Sequence, residues 1–98
     1  MSDEELIKIT KQDLIAIHGN EYHLFEEKIV PNCFCVKCDT SYISTIINYE
    51  IFLNDLDDVI LKGLCANCGG KMSRYLETGG VEKYQEGIRK IRERYSKN

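Results

Sequence analysis

Two short cysteine pairs constrain this chain more than any other feature. "CVKC" places Cys35 and Cys38 two residues apart, and "CANCGG" repeats the spacing at Cys65 and Cys68. Two intervening residues let both sulfurs of a pair face one ion while the backbone curls around it. The curl favours a residue that tolerates positive φ just after the second cysteine. Gly69 fills that place in the second pair and Asp39 in the first. A fifth cysteine, Cys33, makes the number odd. In 98 residues a hydrophobic core alone gives modest stability, and a metal or disulfides are common supplements.

The segment between the pairs decides whether they can meet. "YISTIINYEIFLN" is rich in β-branched and aromatic residues, with Ile43, Ile47, Tyr49, Ile51 and Leu53 on one side of a period-2 strand. "NDLDD" has turn composition, and "VILKG" reads as the return strand. The hairpin expected over residues 42–64 carries both cysteine pairs at its open end and its acidic turn far away. "KMSRYLE", residues 71–77, supplies a third strand. Two thiolate pairs brought together in this way make a tetrahedral S4 site, which suits Zn2+.

"CVKC" and "CANCGG", with a hairpin between and a strand after, resemble a zinc ribbon over residues 33 to about 77. The resemblance implies a structural Zn2+ on Cys35, Cys38, Cys65 and Cys68 and a three-stranded antiparallel sheet. It implies little about activity. The first knuckle departs from the pattern: no glycine follows its second cysteine, and Cys33 is additional. Other chemistries use the same four residues. Two disulfides are disfavoured in a reducing compartment. A redox-active pair usually has one cysteine at a helix N-terminus, whereas strands flank both pairs here. Iron in a tetrathiolate is chemically open. Cys33 reads as a small, half-buried apolar side chain, with ligand exchange or oxidation to a disulfide as its sharper alternatives.

The flanks read as helical. Thr10 can cap a short helix over "KQDLIAIHG", with Asp13 completing a capping box and Gly19 ending it. "ELIKI" before it fits either a helical extension or a strand, and Val30, preceding Pro31, is expected to be extended. At the other end Val81, Tyr84, Ile88, Ile91 and Tyr95 form an apolar stripe at helical spacing. That stripe is expected to cover Ile46, Phe52 or Tyr75 on the sheet, or to pair with another chain. The expected fold is therefore α+β: a helical or extended segment (1–31), a three-stranded zinc ribbon (32–79) and an amphipathic C-terminal helix (80–98).

No catalytic constellation is evident. His18 and His23 read as surface or packing residues, and neither "CGGK" nor "TGG" has the spacing of a phosphate-binding loop. The net charge is −3, and only the C-terminal segment is basic. There Lys83, Lys90, Arg94 and Lys97 form a strip opposite the apolar stripe, the candidate for nucleic-acid contact. The hairpin tip, with Asp55, Asp57 and Asp58, repels phosphate. The expected protein is a non-catalytic zinc-binding adaptor module that contacts another protein. The alternatives are nucleic-acid association through the basic helix, and a thiol-based metal or redox sensor using Cys33. There is no apolar run long enough to span a bilayer, and the acidic start does not read as a secretory leader, so a cytoplasmic setting is expected.

Overall fold

A computed structural model describes residues 6–35 and 43–95. In chain order the main elements are β1 (Ile7–Ile9), α1 (Lys11–His18), a single turn α2 (Tyr22–Leu24), β2 (Cys33–Phe34) and β3 (Ile43–Ser44). They continue as β4 (Ile46–Leu53), β5 (Val59–Cys65), β6 (Lys71–Leu76) and α3 (Gln85–Tyr95). The fold is mixed helix and antiparallel sheet, compatible with α+β. The main sheet has four strands in the order β1-β4-β5-β6, where the ribbon resemblance implies three. β1 joins because Ile7 and Ile9 alternate and pair with Leu53 and Ile51, widening an apolar face already present on β4. A separate two-stranded ladder pairs β2 with β3.

The two faces of the sheet differ. Ile9, Ile51, Leu53, Val59, Leu61 and Leu76 are buried and share one core with Leu14 and Ile17 of α1 and Ile88 and Ile91 of α3. The opposite face is formed by Lys8, Glu50, Phe52, Ile60, Lys62 and Tyr75, interleaved by register, and of these Ile60 alone is buried. The α3 stripe therefore does not cover Phe52 or Tyr75, and Tyr75 is 54% exposed. The helix takes the face with the longer unbroken run of aliphatic side chains, where burial removes more apolar area from water.

β4 also departs from simple alternation. Ile46 pairs with Cys65 and Ile47 with Leu64, but the register shifts by one before Glu50 pairs with Lys62. Asn48 and Tyr49 together face Gly63, a β-bulge whose first residue has φ 51°. As a result Ile46 is buried with Ile51 and Leu53, while Ile43 and Ile47 are exposed. Gly63 makes the bulge possible: a Cβ there would lie 2.6 Å from Ile47 O and 2.8 Å from Tyr49 Cα.

The segment from Gly19 to Asn32 is a continuous series of helical turns. Val30 lies in the helical region (φ −58°, ψ −45°) rather than extended, because its N–H is held by the Phe25 carbonyl in a widened turn. Pro31 then begins a new turn, where its missing N–H costs nothing.

Long-range polar contacts tie α3 to the β4–β5 turn and to α1. Asn54 Oδ1 accepts from the N–H groups of Leu56 and Asp58, each at 2.9 Å, closing the β4–β5 turn. Buried Thr78 accepts from Val59 N at 3.1 Å and donates to Asp57 O at 2.7 Å. Arg92 of α3 reaches the Asp57 carboxylate and the Asn54 carbonyl. At the start of α1 the capping box forms: Asp13 N–H donates to Thr10 Oγ1 at 3.1 Å, and Asp13 Oδ2 accepts from Thr10 N at 3.0 Å. The same Asp13 carboxylate accepts from Arg94 and from the Tyr95 hydroxyl.

Two outcomes are expected. Gly63→Ala is predicted to cost about 2–3 kcal/mol in urea unfolding, since backbone atoms must move, whereas Gly80→Ala, with open space at its Cβ, stays within about 0.5 kcal/mol. Burial raises the Asp13 pKa, but the bonds from Arg94, Thr10 and Tyr95 outweigh it and leave the carboxyl below its usual range. Its stabilisation is therefore complete above the unfolded value of about 3.9 and is lost as pH falls through the lower folded value. Asp13→Ala is expected to lose roughly 2–3 kcal/mol at pH 7. The difference from wild type should shrink in acid unfolding curves.

Candidate metal centre

The cysteine end of the sheet is assembled by three chain segments. β2 delivers Cys35 just past its last residue, β3 lies beside it with Ser44 opposite Cys33, and β5 ends at Cys65. The turn after β5 carries Cys68. Gly69 there has φ 76°, the conformation its place after the cysteine calls for, and its N–H donates to Cys65 O at 2.8 Å. The return bond, Cys65 N–H to Gly70 O, is also 2.8 Å. Ala66 N–H donates to Thr45 O at 2.9 Å and fastens the turn to the strand that leads back toward Cys35.

The sulfurs of Cys35, Cys65 and Cys68 all lie within 4.8 Å of one another. Cys35 Sγ and Cys68 Sγ are 3.6 Å apart. In a tetrahedral thiolate site with bonds of about 2.3 Å, sulfurs sit about 3.8 Å apart, so the three thiols fit around one ion and can hold it. No disulfide joins any of the four described cysteines to another. Cys38, the fourth expected ligand, and Asp39 lie outside the described residues.

The backbone already treats these sulfurs as acceptors. Asn67 N–H and Cys68 N–H point at Cys65 Sγ, at 3.3 and 3.4 Å, and Gly70 N–H points at Cys68 Sγ at 3.4 Å. Ser44 Oγ stands 3.1 Å from Cys65 Sγ. The Ser44 hydroxyl, followed by the Cys68 N–H, pulls the Cys65 thiol down to about 6. A thiolate near neutral pH is the form that binds metal. Nothing in the spacing of the cysteines marks Ser44. Its place comes from the β2–β3 pairing, which the sequence does not announce.

Cys33 stands apart from this group. It is fully buried rather than half-buried, its Sγ lies 3.2 Å from the Ile29 carbonyl, and burial pushes its thiol pKa up. The basic strip of α3 and the residues before it is largely neutralised. Lys83 pairs with Glu21, Arg94 with Asp13, and Lys90 with Glu86 at 3.6 Å. Lys97 lies outside the described residues. His23 Nδ1 lies 3.0 Å from Asn20 O, while His18 stacks on Phe25 and meets Tyr84 edge-on. Among the described residues no helix is long and apolar enough to cross a membrane. Comparison with family models, curated proteins and solved structures finds no match to this chain.

In metal-stripped protein, Ser44→Ala is expected to raise the Cys65 pKa, because it removes the largest influence lowering it. Alkylation of Cys65 at pH 7, followed by peptide mass spectrometry, should then slow several-fold relative to wild type.

Proposed function

We propose that this chain is a small, non-catalytic binding module built around a structural zinc ion held by Cys35, Cys38, Cys65 and Cys68. The carrying observation is the meeting of Cys35, Cys65 and Cys68, from two separate stretches of chain, within 4.8 Å. Cys38 follows Cys35 by three positions, the same spacing that puts Cys65 and Cys68 in one site. Four thiolates leave zinc no open position, so the ion acts on folding rather than on substrate. Its binding energy becomes folding energy for the cysteine end of the sheet. Strands β4, β5 and β6 with the two stretches then make up the zinc ribbon, and β1 and the helices extend it.

A protein partner suits the surface better than nucleic acid does. Phe34 and Ile43, a cross-strand pair next to the cysteines, are 53% and 61% exposed. Such apolar side chains beside a rigid centre favour protein contact. The pairing of Lys83, Lys90 and Arg94 with carboxylates takes positive charge away from the strip that nucleic acid would need. The burial of Cys33 away from the cluster weighs against its exchange with a ligand in a sensor.

Native mass spectrometry of the purified chain tests the metal. One zinc per chain with four protons displaced is expected, unchanged in Cys33→Ser and lost in Cys38→Ser. A metal-free, folded chain lighter by two or four hydrogens would replace the zinc site with disulfides. Titration with labelled single- and double-stranded oligonucleotides at low salt tests the partner class: no binding is expected, and salt-sensitive binding lost on Lys90→Glu would favour nucleic acid instead.

A further inference from the structure

Next to Cys33, the helical turns after α1 lean toward β6 and the turn that follows it. A cavity of about 560 Å³ lies between them. That size falls within the range of about 300–1,000 Å³ usual for small-molecule sites. Phe25, Ile29, Leu76 and Val81 supply apolar wall, and Arg74 and His18 supply polar groups.

The polar groups set this cavity apart. Among the described residues, His18 Nε2 and Arg74 Nε are the buried side-chain polar atoms without a hydrogen-bond partner. Both residues line this one cavity. An unpaired buried polar group costs about 1–3 kcal/mol, a cost that a bound acceptor removes. The charges agree in sign. Glu21 at the rim is already occupied by Lys83 and by the Tyr84 hydroxyl. Among the described residues Arg74 and Lys28 have no ion pair, and Glu77 is the lining carboxylate left to oppose them.

We propose that this cavity binds a small amphipathic carboxylate, its apolar body against Phe25, Ile29, Leu76 and Val81 and its carboxylate side-on to Arg74. The guanidinium turns to present Nε and one terminal nitrogen side-on, which gives the atom now buried without a partner an acceptor. Burial lowers the pKa of His18, more than Glu21 raises it, so the ring is neutral at pH 7. Its contacts with Phe25 and Tyr84 hold the neutral ring as part of the cavity wall.

The test is a titration of the full chain with octanoate, octan-1-ol and octylammonium, followed by amide 1H–15N correlation spectra. Octanoate is expected to give saturable shifts at residues 18–29 and 74–81, with affinity about ten-fold above that of octan-1-ol and further above that of octylammonium. Arg74→Gln should bring octanoate down to the level of octan-1-ol. Val81→Trp should fill the cavity and abolish binding of both, which keeps the test decisive if Arg74→Gln does not fold. The proposal is overturned by no saturable shift up to roughly 10 mM, by shifts confined to other residues, or by equal affinity for octanoate and octan-1-ol. Unchanged octanoate binding in a folded Arg74→Gln protein, or in Val81→Trp, overturns it as well.

Discussion

One additional residue in β4 lets two ends of the sheet be correct at once. A strand slipped by one position turns every side chain to the other face. At the cysteine end Ile46 must face inward opposite Cys65; at the helix end Ile51 and Leu53 must do so. Those positions have opposite parity, and an unbroken strand cannot satisfy both. The bulge at Asn48 and Tyr49 absorbs the difference, and Gly63 leaves room for it. The placement of Cys65 against Ser44 and Cys35, and the packing of α1 and α3 on the far end, both depend on that local irregularity.

The parts of the fold that were legible in the sequence are those written in short-range chemistry. The Thr10–Asp13 capping box, the positive φ of Gly69, the turn at Asn54 and the amphipathic α3 each rest on a few adjacent residues whose preferences agree. The bulge was hidden because isoleucines occupy both Ile46 and Ile47, so either parity looks apolar. The side of the sheet that α3 covers was hidden for a related reason: Phe52, Ile60 and Tyr75 make the other face look nearly as suitable. β1 became a strand only because Leu53 and Ile51 were there to pair with it. Of the candidate centre, the cysteine spacing pointed to Cys35, Cys65 and Cys68, which the fold brings together. Ser44 could not be found that way, since its contact is made by a two-residue ladder with no distinctive composition.

Charge organises the rest of the molecule over long sequence distances. Asp13 meets Arg94, Glu21 meets Lys83, and Asp57 meets Arg92. The sequence divides into an acidic start and a basic finish, a division that suggests a polycationic tail when read linearly. Folded, it is an internal complementarity: the finish closes on the start and on the hairpin tip. Exposed pairs of this kind add little stability each. The buried carboxylate of Asp13 is different, because leaving it without donors would strand a charge away from water.

The hairpin of β4 and β5 is therefore secured at its two extremities by unlike means. At one end are thiols and the N–H groups aimed at them; at the other are Thr78, Arg92 and the carboxyl and carbonyl groups of the turn. Thiol oxidants attack the first set and spare the carboxylates of the second. Such a chain has two separately erodible margins around a shared middle. Amide hydrogen exchange would resolve them as distinct opening units, with the centre of β5 the last segment to yield its protons.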